Sequence, residues 1–212
     1  SNPTVGQHVL WFLSKDGRTG DRDTALKAKT ELDAHGVKMG SISPTYFLDG
    51  SEDGSFSAAD AAIRERYVEQ TVFSARIAGE MGTGLVTLWF PDGTNYPGQR
   101  GLVEKIALLR DCAAEFWRRL SAAERAKLDR VLVEYKVFEP GTYSTTIPDW
   151  GTAREVARTF GDAGGVLVDM GHHQHGTNIE QIVANLIAFG VRGGFHFNTR
   201  YAADDDHSVQ GD

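Results

Sequence analysis

Short apolar runs alternate with longer stretches of helical periodicity along this chain. The apolar runs are bounded by Gly, Asp or Pro, and several are continuously hydrophobic, which is typical of buried parallel strands. They predict six strands, at residues 7–12, 37–42, 85–90, 130–136, 165–169 and 193–198. The stretches between them have apolar residues every three or four positions. They predict helices at residues 23–35, 58–81, 102–120, 153–160 and 178–189, and the capping-box spacing of Ser121 and Glu124 predicts a further short helix.

This alternation of strands and helices predicts a parallel sheet with right-handed crossovers. Two architectures share the pattern, a doubly wound open sheet and a (β/α)8 barrel. No GxGxxG fingerprint follows a predicted strand, which weakens the dinucleotide-binding open sheet. A complete barrel usually needs about 250 residues and eight strands, whereas we predict six strands in 212 residues. The expected fold is therefore an α/β barrel of the TIM type, apparently incomplete, in a single domain over residues 1–212.

Composition and charge argue against a nucleic-acid-binding protein and a membrane protein. The chain has 22 Lys and Arg against 29 Asp and Glu, a formal net charge of −7, which makes nucleic acid a poor candidate partner. The longest early apolar run covers only residues 9–13, too short for a bilayer, so we expect no membrane or targeting segment. The single cysteine, Cys112, cannot form an internal disulfide and fits a reducing compartment. We therefore expect a cytoplasmic protein.

Charged residues end one of the predicted strands. In the strand 130–136, side-chain alternation places Glu134 and Lys136 on one face and Tyr135 on the other. Two charges on one face of a buried strand are costly unless they pair or bind a metal ion. Taken alone, this strand leaves both interpretations open.

The next two strands end in similar chemistry. Asp169 ends the strand 165–169 with His172 three residues later, and His196 lies near the end of the strand 193–198. Because the carboxyl ends of parallel strands meet at one edge, we expect Glu134, Asp169 and His196 to converge. Each alone is more often a satisfied core residue, but carboxylate and imidazole ligands together suit Mn²⁺, Co²⁺ or Zn²⁺. The three strand ends therefore predict a metal site.

Two loops carry further candidate residues. The loop after the strand 85–90 offers Trp89 as a stacking face and Asp92 and Asn95 as hydrogen-bonding groups for a polyol, although Pro, Gly and Asn also suit a plain turn. The acidic run near the C-terminal end contains Asp204 and Asp206. It fits either a solvated loop or the ligands of a second divalent ion. His173 and His175 are interpreted as loop residues without a role.

Four runs of sequence, in order, resemble the broad-specificity bacterial L-rhamnose isomerases of the xylose-isomerase-like barrels. They are LWFPDGTNYPGQ, VEYKVFEPGTYST, VLVDMGHHQHGTNIE and GGFHFNTRYAADDD, between about residues 85 and 206. The resemblance is fainter before residue 85. There His8 matches a histidine of the family, but Leu10 replaces the family's proline.

The resemblance implies an aldose–ketose isomerase with two divalent ions, often manganese, most specifically one that converts L-rhamnose to L-rhamnulose by hydrogen transfer between C1 and C2. It implies a small-molecule sugar as the partner. The implied ligands of the structural ion are Glu134, Asp169 and His196, and those of the catalytic ion are His172, Asp204 and Asp206. The resemblance also implies that Lys136 lies near the carbonyl end of the sugar, and that Trp89 and His8 contact the sugar.

One departure from the family keeps other interpretations open. The family's structural ion has a fourth ligand, an aspartate on the last barrel strand, and this chain stops at Asp212 before such a strand. We therefore expect strands two to seven of a barrel, with homo-oligomers covering the open edges. A sugar epimerase of the same barrel group and a non-catalytic partial barrel remain alternatives. A phosphodiester-cleaving enzyme is disfavoured by the net charge.

Overall fold

A computed structural model of the chain describes residues 3–14, 19–94, 100–139 and 143–198. Strands and helices alternate through most of these residues, as the hydrophobic pattern predicts. In chain order the elements are β1 (Thr4–His8), a 3₁₀ turn (Val9–Phe12), α1 (Arg22–Ala34), β2 (Lys38–Ser43), α2 (Ala61–Met81), β3 (Leu85–Trp89), β4 (Gly93–Thr94), α3 (Leu102–Arg119), α4 (Ala122–Arg125), β5 (Arg130–Glu134), β6 (Phe138–Glu139), β7 (Tyr143–Thr145), α5 (Trp150–Ala157), a second 3₁₀ turn (Arg158–Ala163), β8 (Gly164–Asp169), α6 (Ile179–Ala188) and β9 (Arg192–His196).

Six parallel strands form the central sheet, in the order β1-β2-β3-β5-β8-β9. Each strand is followed by helical structure before the chain reaches its neighbour, which is the crossover geometry that parallel pairing requires. The predicted fold class is confirmed: the described residues form a TIM-barrel-like half-barrel. Within them β1 and β9 each have a neighbour on one side only.

The helices begin where the sequence supplies acceptors for their first N–H groups. Asp60 caps α2, Asp149 caps α5 and Asn178 caps α6, each through a side-chain oxygen that accepts from a backbone N–H of the first turn. The predicted capping box of Ser121 and Glu124 is confirmed at α4. Among the described residues, no helix combines the length and apolar character that a membrane crossing requires.

The predicted strand 7–12 is wrong over its second half. The chain leaves β1 after His8 and forms a 3₁₀ turn, with Val9 and Phe12 buried but Leu10 and Trp11 exposed. This burial of positions three residues apart is the spacing of a turn and not of a strand. A continuous apolar run does not distinguish a strand from a 3₁₀ turn, because it does not show which of its residues are buried.

A small antiparallel sheet, in the order β4-β7-β6, lies beyond the carboxyl ends of β3 and β5. The sequence predicts only loops here. Main-chain hydrogen bonds join the segment after β7 to the segments that follow β5 and β3. The N–H of Lys136 donates to the Ile147 carbonyl (3.2 Å), and the Thr146 N–H donates to the Asp92 carbonyl (2.7 Å). These bonds help to fix the polypeptide that leaves both strands.

Asp92 is buried beneath this sheet and has a structural role. Its carboxylate accepts hydrogen bonds from the N–H groups of Ser55 (2.9 Å) and Ser57 (2.8 Å) and from their hydroxyls (2.5 and 2.7 Å). All these donors belong to the connection between β2 and α2. Asp92 therefore anchors that connection, and its contact with a sugar stays a prediction.

Replacing Asp92 with alanine leaves the two N–H groups and two hydroxyls without their acceptor. We expect Asp92→Ala to lower the free energy of unfolding by about 3 kcal/mol, measured by urea denaturation, because enclosed polar groups that lose a charged partner remain desolvated. Asp49→Ala changes an exposed aspartate of the same connection and should alter stability by less than about 0.5 kcal/mol. Equal stabilities of the two variants would contradict the anchoring role.

Candidate metal centre and adjoining cavity

Three of the predicted ligands lie at the last positions of their strands. Glu134 ends β5, Asp169 ends β8 and His196 ends β9. Asp169 and His196 are register partners, and Glu134 lies on the strand directly beside β8. The sheet therefore brings these side chains to one edge, as the parallel pairing predicts.

The donor atoms at this edge converge. Glu134, Asp169 and His172 are buried, and each offers an oxygen or nitrogen within 4.8 Å of those of the other two. Nδ1 of His172 lies 3.3 Å from Oε1 of Glu134. Nδ1 of His196 lies 3.3 Å from the same Glu134 oxygen and 3.3 Å from Oδ2 of Asp169. Two carboxylates and two imidazoles therefore surround one small volume.

The electrostatics of this group favour a bound cation. Hydrogen bonds to Asp169 and then to Glu134 raise the pKa of His196 to about 10, so the metal-free protein holds an imidazolium between the carboxylates. Burial alone would raise the pKa of Asp169, but its hydrogen bond with His196 and the nearby His172 help to lower it overall. Because ligands must be deprotonated to bind a metal, a divalent ion would replace the His196 proton and compensate the same charges.

Neighbouring groups orient the donors. Oδ1 of Asp169 accepts from the N–H of Gly171 (2.7 Å) and from the amide of Asn198 (2.8 Å). Nδ1 of His172 lies 3.1 Å from the carbonyl oxygen of Tyr135. Metal-binding histidines generally make such a bond through one ring nitrogen and coordinate through the other, so His172 would coordinate through Nε2 and not through the Nδ1 that lies near Glu134. The donor set and its supporting contacts therefore fit a divalent metal ion.

The far side of β5 supports the turn that carries His172. Tyr135 points away from Glu134, as the alternation predicts, and its hydroxyl lies 2.7 Å from Nε2 of His173. His173 is buried, whereas His175 is exposed. The sequence assigns no role to His173, because its partner Tyr135 is distant in the chain.

A cavity of about 420 Å³ adjoins the donor group. Five predicted site residues contribute to its wall, together with five residues that the sequence does not single out. The wall consists of His8, Trp89, Glu134, Lys136 and His196, with Ser43, Pro44, Phe47, Thr87 and Glu139 in addition. Two residues of the candidate metal centre, Glu134 and His196, therefore border the same cavity as the candidate sugar contacts.

Lys136 lies almost fully buried in this wall. Its Nζ is 3.1 Å from Oε1 of Glu139 and 5.7 Å from the centre of the Trp89 ring. The sequence leaves open a Glu134–Lys136 ion pair, but the structure brings Glu134 to the histidines and Lys136 to Glu139. Glu139 escapes sequence reasoning because it follows a bend after β5, beyond which strand alternation no longer predicts direction.

The other predicted sugar contacts have different outcomes. His8 is exposed, with Nδ1 3.2 Å from Oγ1 of Thr45, and partial desolvation lowers its pKa although Glu134 opposes the shift. Trp89 contacts the ring of His172, with centroids 6.2 Å apart. The predicted residues Asn95, Asp204 and Asp206 lie outside the described part of the chain.

The described residues thus form a half-barrel of the TIM type, and the donor group at the carboxyl edge of its sheet could hold a metal ion. The sequence model of the xylose isomerase-like TIM barrel family matches residues 10–212, and the chain belongs to that family.

Two curated relatives match nearly the whole chain. It is 32% identical to a protein of Mesorhizobium japonicum named "Probable sugar isomerase", over 97% of this chain and 46% of that protein. It is 33% identical to a protein of Rhizobium meliloti with the same description, over 97% of this chain and 46% of that protein. The chain thus spans about half the length of the curated relatives it matches.

Solved structures agree with the fold. The 3-keto-D-glucoside 4-epimerase of E. coli superposes with a TM-score of 0.63 at 14% identity, covering 85% of this chain and 66% of that one. The D-psicose 3-epimerase of Clostridium cellulolyticum superposes with a TM-score of 0.60 at 12% identity, covering 91% and 73%. At these identities the likeness establishes the architecture alone.

Removing one donor should weaken metal binding without unfolding the protein. We expect Glu134→Gln to raise the Kd for Mn²⁺ more than about tenfold, measured by isothermal titration calorimetry. Mutating a residue that only hydrogen-bonds to a metal ligand already lowers metal affinity about tenfold or more, and Glu134 is itself a predicted ligand. Binding should also weaken as the pH falls, since the ion must displace the His196 proton. Glu155→Gln changes an exposed glutamate of α5 and serves as control. Equal Mn²⁺ affinities in both variants would refute the site.

Proposed function

We propose that the chain is the metal-binding part of a sugar isomerase that interconverts an aldose and a ketose, with L-rhamnose and L-rhamnulose as the first pair to test. The observation that carries the proposal is the single cavity that places Glu134 and His196 beside Lys136 and Trp89. A space of about 420 Å³ lies within the range of small-molecule sites. The names of the two curated relatives support the same reaction class.

The predicted ligands would hold two divalent ions. Glu134, Asp169 and His196 would hold a structural divalent ion. His172 would hold a second, catalytic ion with Asp204 and Asp206. We propose Mn²⁺ first, with Co²⁺ and Zn²⁺ as alternatives from the donor chemistry. When bound, such an ion polarises the carbonyl and stabilises negative charge on the sugar oxygens.

The chain's own residues would bind and orient the sugar. The ammonium of Lys136 faces the cavity and would donate to the oxygen that gains charge as hydrogen moves between C1 and C2. The Trp89 ring offers an apolar face for the carbon side of the sugar, and His8 would hydrogen-bond a hydroxyl at the other wall. Asp204 or Asp206 would relay the proton between the two oxygens.

Loss of a metal donor should abolish turnover. We expect Glu134→Gln and His172→Ala to lose Mn²⁺-dependent formation of L-rhamnulose from L-rhamnose, by more than about 100-fold in kcat/KM, followed by chromatography of the products. The control Glu155→Gln should retain the full rate. Undiminished activity in both site variants would refute the proposal.

Epimerisation is the second candidate reaction. An epimerase needs acid–base groups on both faces of the reacting carbon, and Glu139 is a second carboxylate in the cavity besides Glu134. The same assay separates the candidates, since an isomerase converts an aldose to a ketose, whereas a ketose epimerase converts one ketose to another. Metal binding without turnover of either substrate class would instead favour a non-catalytic partial barrel.

We also propose that copies of the chain associate through the edges of the sheet. Phe195 and Phe197 are exposed beside β9 and stack on each other at 5.5 Å, and Trp11 is exposed beyond β1. Light scattering should give a mass well above the 23.2 kDa of one chain. A monodisperse monomer would contradict this. The cytoplasmic location stays a prediction from the sequence.

A further inference from the structure

Glu139 is a charged residue of the cavity wall to which the proposed reaction gives no task. It lies on β6, in the small antiparallel sheet, and not at the end of a central strand. Its Oε1 is 3.1 Å from Nζ of Lys136, whose side chain is only 3% exposed. Burying a lysine ammonium is costly unless a partner compensates the charge. Glu139 therefore stabilises Lys136 in this position.

Residues in and next to the small sheet hold both the main chain and the ammonium of Lys136. The N–H of Lys136 donates to the carbonyl of Ile147 (3.2 Å), and the Thr145 hydroxyl donates to the carbonyl oxygen of Lys136. Glu139, from the neighbouring strand of the same sheet, contacts the ammonium. A lysine side chain has four flexible bonds, so anchored main-chain atoms alone would leave the charge spread over many positions. Glu139 helps to hold it at the wall beside Trp89.

We infer that Glu139 is a positioning residue that aims the Lys136 ammonium at the reacting end of the cavity. A carboxylate at 3.1 Å reduces the positive potential that reaches a substrate, so its benefit must be orientation and not added charge. Small displacements of a catalytic group are costly to the rate. The catalytic part of this inference rests on the proposed isomerase function, whereas the coupling of the two side chains does not.

The first test measures turnover. We expect Glu139→Ala to lower kcat for L-rhamnose about 10- to 100-fold with KM changed less than about threefold, because the ammonium loses its orientation. Glu139→Gln keeps an oxygen acceptor of the same reach and should restore most of the rate. In a Lys136→Met background, Glu139→Ala should have no further effect on kcat. Glu155→Ala, which changes an exposed glutamate paired with Arg158, is the matched control.

The second test needs no substrate. It is a double-mutant cycle of thermal unfolding with Lys136→Met, Glu139→Ala and the double variant. We expect the loss in Tm of the double variant to be clearly smaller than the sum of the two single losses. If the unmodified chain isomerises no aldose, the proposed function fails while this cycle still decides the coupling. Additive losses in Tm would overturn the inference. An equal fall in kcat with and without Lys136 would overturn it too.

Discussion

Two negative charges must be accommodated at the carboxyl edge of the sheet, where Glu134 and Asp169 are both almost completely buried. The in-register pairing of β5, β8 and β9 forces these carboxylates together and sets His196 between them. Buried charges of one sign are tolerated only with a cation at hand. The imidazolium of His196 compensates these charges in the metal-free protein, and a divalent ion would bind the same carboxylate oxygens. The remaining contacts of this edge, from Gly171 and Asn198, follow from the same requirement.

The positive charge of Lys136, in the wall of the same cavity, is balanced by a carboxylate. Lys136 is compensated by Glu139 from the small sheet, and the Trp89 ring contacts both Lys136 and His172. The cavity wall thus combines two residues of the donor cluster with a lysine cation beside an aromatic ring. A polyhydroxylated ligand with a carbonyl group matches this combination, because its oxygens can contact both kinds of group.

The hydrophobic pattern predicted the six parallel strands and the residues at their carboxyl ends, because both depend on local periodicity and on pairing rules that hold for any parallel sheet. It failed at Val9 and Phe12, because a continuous apolar run does not show which of its positions are buried, and here they lie three residues apart, as in a 3₁₀ turn. It also did not reveal the hydrogen bonds of Asp92, since no local signal shows that Ser55 and Ser57 lie nearby. Contacts such as Tyr135 with His173 and Lys136 with Glu139 depend on how loops fold back, which periodicity does not encode.

The Asp92 anchor has a consequence for how such a site can diversify. It secures the connection between β2 and α2, which carries Phe47 at the cavity wall, through serine contacts that involve none of the donors at the sheet edge. Exchanges in that connection can therefore reshape the mouth while the ion-binding chemistry stays intact. Evolution or an engineer could in this way alter the shape of the cavity opening without rebuilding the donor cluster.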